Sequence, residues 1–529
     1  MRFGASRSLQ AEDGGDAVRR LSELAEAVDH LARAGDAVVT GITEDSRQVR
    51  PGWLFVARRG GQADGHRFVD DALRRGAAAL VVEHPQAASA PQLVVPNTSA
   101  AVGPLAAAFY GHPSRQLSVV GVTGTNGKTT TCELIRAAIE ATGRPAGQIG
   151  TIATRVGRQS EPATMTTPSP TDLQRHLFRM VQAGVGAVAM EVSSHALDQY
   201  RVDGTEFAVG VFTNLDTEHL DYHGTLEQYW ASKARLFEPG RCRQALVCID
   251  SDWGVRLAHQ VAVPVRTFGA GPGADVRYSV EDLGLDGSII HLAGDDVDVT
   301  IPTRMVGAVN APNVAGAFLA ARELGVPSTT VVDALAACPR PPGRFELVDE
   351  GQPFLVVVDY AHTPEALTSL VSTARRCAGP DGRIRVVVGA RGGRDRFKRP
   401  RTGAAAAAAG PVVLTTDSPG DEDPWSIIEQ LRLGTVEVAG AEVAVEPDRR
   451  RAITMAIDAA APGDVVLIVG RGHEEVQHIG GRAIPLDDRQ VAHAALALRR
   501  SGRHDGVASA GTHPPMAVAA PPERGTTAP

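Results

Sequence analysis

The chain has 529 residues, 43% of them hydrophobic and 22% charged, with a formal net charge of −8. One hydrophobic core does not organise so long a chain, so two to four domains are expected. The negative balance argues against nucleic acid as the main partner.

The first thirty residues lack an unbroken apolar core and predict no signal peptide. No apolar run reaches the roughly eighteen residues that a membrane span needs. Cys132, Cys242, Cys248, Cys338 and Cys377 form no CxxC pair and no metal-ligand spacing. Together these features predict a cytoplasmic protein with free thiols and no membrane insertion.

Residues 1–20 carry no periodic pattern and are expected to be a loose extension. Over 21–113 helix and strand alternate, with helices at 21–34 and 68–75 and strands at 37–39, 54–56 and 79–82. That pattern predicts a small α/β domain, followed by a linker at 111–114. A buried strand at 117–122 then enters a glycine-rich turn and a helix over 128–142. Apolar runs at 187–190, 209–212 and 245–249 predict further strands of a parallel, doubly wound sheet. Short alternating segments over 275–301 read as a β-rich insertion, and 310–324 as a helix, within a domain spanning 114–340. Beyond a proline-rich joint at 339–343, strands at 354–359, 384–389, 412–416 and 465–469 predict a third α/β domain over 341–498. The tail, 499–529, is rich in Pro, Gly, Ala and Thr and is expected to be disordered.

Of 53 basic residues only Lys128, Lys233 and Lys398 are lysines. A lysine amine can lose its proton and react, whereas a guanidinium stays charged. Lysines that survive such a drift to arginine are therefore candidates for chemistry, although Lys398 also suits a solvated surface. Lys128 ends the turn Gly124-Thr-Asn-Gly-Lys128, ahead of Thr129 and Thr130. Gly124, Thr125, Asn126 and Gly127 let backbone N–H groups close around phosphate, and the helix N-terminus adds its partial positive charge. Lys128 can reach the β and γ phosphates, and the hydroxyl of Thr129 or Thr130 can hold Mg²⁺. Val122, where a strict phosphate-loop pattern has glycine, makes this a variant that predicts ATP binding.

Glu191 ends the 187–190 run, a position where open α/β sheets place ligands and where a carboxylate suits Mg²⁺. After the next strand, Asp216, Glu218, His219, Asp221 and His223 crowd eight residues. Spacing does not say which of them touch metal. Lys233 follows on a helical stretch that points back toward this region.

Together these segments resemble the Mur ligase family, in the branch that adds the third residue of the peptide, over about 41–495. Thr43-Glu-Asp-Ser-Arg47, Pro51-Gly-Trp-Leu-Phe-Val56 and Gly61-Gln-Ala-Asp-Gly-His66 resemble its uridine-binding domain. The resemblance implies three domains: a small uridine-binding α/β unit, a central parallel-sheet ATPase and a Rossmann-like C-terminal unit. It further implies UDP-sugar-peptide contacts at Ser46, Gly61, Gln62, Ala63, Thr166, Thr167, Ser193, Gln199 and Arg201. ATP contacts are implied at the 124–130 turn and at Asn310, Asn313, Arg344 and Asp359. Amino-acid contacts are implied at Arg394, Asp417, Ser418, Gly470 and Glu474. Metal ligands are implied at Thr129, Glu191, His219 and Lys233, with Lys233 carried as an N6-carboxylate.

The implied activity is an ATP- and Mg²⁺-dependent amide ligase working as a monomer. It would join an amino acid, expected to be a diamino acid, to UDP-N-acetylmuramoyl-L-alanyl-D-glutamate through an acyl phosphate. Two departures fall in the amino-acid pocket. Members that add diaminopimelate usually read Asp-Asn-Pro-Arg where this chain reads Asp417-Ser-Pro-Gly420, and Gly393 replaces the first aspartate of Gly-Asp-Arg-Asp. Two rival readings stand beside it: a paralogous ligase acting on another carboxylate, which Gly420 favours, and a non-enzymatic nucleotide-binding regulator, which the retained Glu191, His219 and Lys233 oppose.

Overall fold

The computed structural model describes residues 17–61 and 63–501. Three main sheets follow one another along the chain. The first has five strands, in the order Ala32–Ala34, Gln92–Val94, Ala79–Val82, Trp53–Val56 and Gly41–Thr43; all but the first pair run parallel.

The second sheet has eleven strands. Its parallel centre places Ser118–Thr123 between Ala187–Glu191 and Phe207–Phe212. Ala146–Ile149 adds on one side, and Cys242–Cys248 then Val265–Gly269 on the other. Buried side chains pack on both faces, which explains why these strands read as continuous apolar runs. The third sheet has six strands. Its central strand, Val465–Val469, is wholly buried, and each of its aliphatic side chains contributes about 1.5–3 kcal/mol by leaving water.

The three-sheet α/β architecture agrees with the expectation from sequence, but several elements differ. The helix read over 21–34 stops at Leu21–Ala25, and Ala32–Ala34 instead pairs with Gln92–Val94. Edge pairing overrides the helical propensity of the alanines. The strand Arg19–Arg20 pairs with Val38–Val39, so the end of the supposed loose extension is tied down. The linker at 111–114 is not free, because Pro113 and Ser114 are buried in a short turn, Pro113–Arg115. Residues 275–301 are β-rich as expected, and Val276–Asp282, Ser288–Gly294 and Val297–Thr303 continue the central sheet to its edge, starting from the Phe268–Val276 pairing. Nearly all of the 499–529 tail lies outside the described residues.

Candidate active site

Ser118–Thr123 delivers the chain to the glycine-rich turn, and the helix Lys128–Glu140 leaves from it. The turn's geometry explains its composition. Gly127, the helix N-cap, has φ +89°, and a Cβ there would sit 2.1 Å from Asn313 Oδ1. Gly124 has φ +151°, and its Cβ would meet Thr213 Oγ1 at 1.9 Å. A side chain at either position closes the loop. Lys128 Nζ bends back to donate to the carbonyls of Gly124 at 2.9 Å and Thr125 at 2.8 Å. Burial lowers its pKa, against the pull of Glu218 and Glu191.

Thr125 to Thr130 line a cavity of about 500 Å³ between the second and third sheets. Glu191 forms its floor. The Glu191 carboxylate accepts from Thr129 Oγ1 at 3.0 Å, Thr151 N at 2.9 Å and Thr151 Oγ1 at 3.0 Å. Lys233 comes from the helix Leu226–Ala234, is 1% exposed, and donates to Gly124 O at 2.8 Å. Burial first, and then the nearby Lys128, hold its amine well below the usual lysine range. An uncharged amine is the nucleophilic form.

His219 sits at φ +57°, a strained conformation for a histidine. Burial pushes its imidazole down to about 3, which leaves the ring uncharged at ordinary pH. Its ring nitrogens and carboxylate oxygens of Glu218 and Asp395 lie within 4.8 Å of one another. Spacing had pointed to Glu218 only as one member of a crowd; Asp395 arrives from the third sheet's loops and could not be placed by local reading. Two other members of that crowd have structural partners. His223 Nε2 contacts Ser194 Oγ at 3.0 Å, and Asp216 accepts from Asn126 Nδ2 at 3.0 Å.

The third sheet supplies the opposite wall. Arg344 Nη2 reaches Thr129 Oγ1 at 3.4 Å, and its guanidinium stacks 4.7 Å from the Tyr360 ring centroid. Asp359 accepts from the backbone N–H groups of Phe345 and Ala361, both at 2.7 Å. His362 Nε2 contacts Glu218 Oε1 at 2.7 Å across the interface. Lys398 is no surface lysine: its side chain is 17% exposed, its Nζ is 3.3 Å from Asp395 Oδ2, and it lines the cavity. Asn310 and Asn313 are joined at 3.0 Å, and Asn313 Oδ1 is buried without a hydrogen-bond partner beside the turn.

Toward the first sheet the polar residues continue as a track. Thr167 Oγ1 donates to Glu191 O at 2.8 Å and accepts from Ser193 N at 3.1 Å. Arg201 donates to Thr167 O at 3.2 Å and twice to Gln199 Oε1, while Arg58 donates to Gln199 O at 3.0 Å. Thr166 and Ser193 line the cavity itself. Ser46 is buried, and Gly61 and Ala63 are exposed, in the first unit away from the cavity lining; Gln62 lies outside the described residues.

On the far wall Arg394 and Asp417 line the cavity. Ser418 Oγ accepts from the buried Arg471 at 2.9 Å. Gly470 lies against Asp417, and Glu474 pairs with Arg391. Arg391 also lines the cavity.

Family models match nearly all of this frame. The model described as "Mur ligase family, catalytic domain" matches 38–110, "Mur ligase middle domain" matches 122–321, and "Mur ligase, glutamate ligase domain" matches 343–472. A UDP-N-acetylmuramoyl-L-alanyl-D-glutamate--2,6-diaminopimelate ligase of Geobacillus thermodenitrificans is 42% identical over 476 residues, covering 88% of this chain and 97% of that relative. The ligase of the same name from Streptomyces coelicolor is 42% identical over 488 residues, covering 90% and 96%. A solved structure with that name superposes with a TM-score of 0.62 at 30% identity, over 87% of this chain and 95% of that one. A MurF ligase of Thermotoga maritima in complex with ADP shares the fold, with a TM-score of 0.58 at 20% identity over 88% and 99%.

Proposed function

The chain belongs to the Mur ligase family, and we propose from that premise how its cavity divides the work of making an amide bond. The protein is an ATP-dependent acid–amino-acid ligase of peptidoglycan precursor synthesis that extends UDP-N-acetylmuramoyl-L-alanyl-D-glutamate. One observation carries the residue assignment. A single cavity joins the phosphate turn, Glu191 and Lys233 of the second unit to Arg344, Asp359 and Asp417 of the third.

In this reading the 124–130 turn binds the triphosphate, with Asn310 and Asn313 on the adenine side and Arg344 and Asp359 closing over it. Ser46, Gly61, Gln62 and Ala63 seat the uridine, and the Thr166-to-Arg201 track orients the peptide. The glutamate carboxylate attacks the γ-phosphorus, ADP leaves, and an acyl phosphate remains. The amine of the incoming amino acid then adds to the acyl carbon, and phosphate leaves. Lys128 offsets charge on the transferring group, a matter of positioning and electrostatics. Arg394, Asp417, Ser418, Gly470 and Glu474 receive the amino acid, which we take to be diaminopimelate, the amino acid in the names of the relatives.

The donor chemistry fits Mg²⁺: a buried carboxylate with a hydroxyl 3.0 Å away, a neutral imidazole and a buried amine whose pKa is held well down. Thr129, Glu191, His219 and N6-carboxylated Lys233 would hold it. When bound, the ion neutralises charge on the phosphates. We further take the protein to work as a monomer in the cytoplasm; among the described residues no helix is long and apolar enough to cross a membrane.

The test is phosphate release with the UDP-linked dipeptide, ATP, Mg²⁺ and a panel of amino acids that includes diaminopimelate and lysine. Release should depend on the amino acid and be fastest with diaminopimelate. Absence of release with every member would refute the reading.

A further inference from the structure

We propose that Arg391 is the carboxylate anchor for the distal end of the incoming amino acid, and thereby a specificity-determining residue; this rests on the ligase reading above. Arg391 stands in the loop after the strand Ile384–Val388, and its side chain helps line the cavity. Its guanidinium contacts the Glu474 carboxylate on the facing loop. The backbone beneath it is held firmly. Arg399, 1% exposed, donates to Arg391 O at 2.8 Å and to the two oxygens of Glu422 at 2.8 and 2.9 Å. Glu422 in turn accepts from Gly393 N at 2.9 Å. A cation on so fixed a loop is pre-organised, and little ordering entropy remains to oppose binding.

The charges opposite Arg391 complete the argument. Asp417 is 2% exposed and lines the cavity, yet its Oδ1 has no hydrogen-bond partner. The buried Arg471 stands behind both carboxylates, 3.7 Å from Asp417 Oδ1 and 3.9 Å from Glu474 Oε2; with Arg391 it makes a charge-balanced cluster, the complement of one carboxylate beside one ammonium, which is the free end of a diamino dicarboxylic acid. In the absence of substrate Arg391 and Glu474 satisfy each other. The substrate's carboxylate takes over Arg391, and its ammonium falls to Glu474 and Asp417. The reacting amine has to meet the acyl phosphate at the 124–130 turn, so the end held by these loops is the far one. Gly420, on the neighbouring loop, has no side chain to share the task, and open space surrounds the place its Cβ would occupy.

Diaminopimelate and lysine differ only in the distal carboxylate, so they report on this contact. Arg391→Ala should raise KM for diaminopimelate about tenfold or more, the usual scale for a lost charge-assisted pair. KM for ATP and for the UDP-linked dipeptide should stay within about twofold, because neither touches this loop. The ratio of kcat/KM for diaminopimelate to that for lysine should fall by a similar factor, and Arg391→Lys should recover part of it. An unchanged KM for diaminopimelate, or equal losses on both amino acids, would overturn the assignment. Failure of the unaltered enzyme to use diaminopimelate at all would strike the ligase reading instead.

Discussion

Replacing Lys233 with methionine separates chemistry from packing at the centre of the site. The side chain is 1% exposed, its Nζ donates to Gly124 O at 2.8 Å, and it lies 4.4 Å from the Tyr229 ring centroid. Methionine nearly conserves the volume, and such exchanges cost less than about 1.5 kcal/mol. The lost hydrogen bond is worth about 1 kcal/mol, and removing a buried amine offsets part of that. The urea midpoint should therefore move little. Activity should respond differently, because losing one electrostatic stabiliser of a developing charge costs about 2.7–4 kcal/mol, or roughly 10²–10³ in kcat. Lys233→Arg should lose as much activity and also stability, since a permanent and bulkier charge must then be buried where burial and Lys128 already disfavour the charged amine. Lys233→Ala should recover partly with a short added carboxylate. The assay is phosphate release alongside chemical denaturation. Full turnover by the methionine variant would refute the role given to this lysine.

Gly127→Ala places a Cβ 2.1 Å from Asn313 Oδ1 at φ +89°; the strain of about 1–2 kcal/mol should appear as a KM for ATP raised about tenfold, with the dipeptide KM unchanged. The Arg399 hydrogen bonds push Glu422 down to about 2 from 4.5. Its stabilising contribution, at most about 3 kcal/mol, is then fully present above about pH 4.5 and lost as pH falls toward 2. Glu422→Gln should lower stability by about that amount at pH 7, and a denaturation series should show the gap to the unaltered protein closing across that acid window. Arg449 and Asp488 form a buried pair through two hydrogen bonds of 2.9 and 2.7 Å, away from the cavity lining. Asp488→Ala should cost about 3–5 kcal/mol by stranding the guanidinium, measured by denaturation, with KM for ATP and for the UDP-linked dipeptide unchanged.

What could be read from sequence was what local pattern encodes. Val465–Val469 and Ala79–Val82 were located to the residue because fully buried parallel strands are unbroken apolar runs. The phosphate turn and Glu191 were placed by strand-to-helix grammar. The helix Thr98–Phe109 was missed because Gly103 and Pro104 lie inside it, although Asn97 caps it by accepting from Ser99 N and Ala100 N. Residues that cross between sheets were equally out of reach. Asp395 beside His219, and Lys398 facing Asp395 and Glu218, depend on how two units meet, which no window of sequence contains.

That seam has a pharmacological consequence. Thr129 touches Arg344, and Glu218 touches His362, across the junction of the two units. A compound lodged in the crease that holds them apart would silence the enzyme while resembling neither the nucleotide nor the peptide.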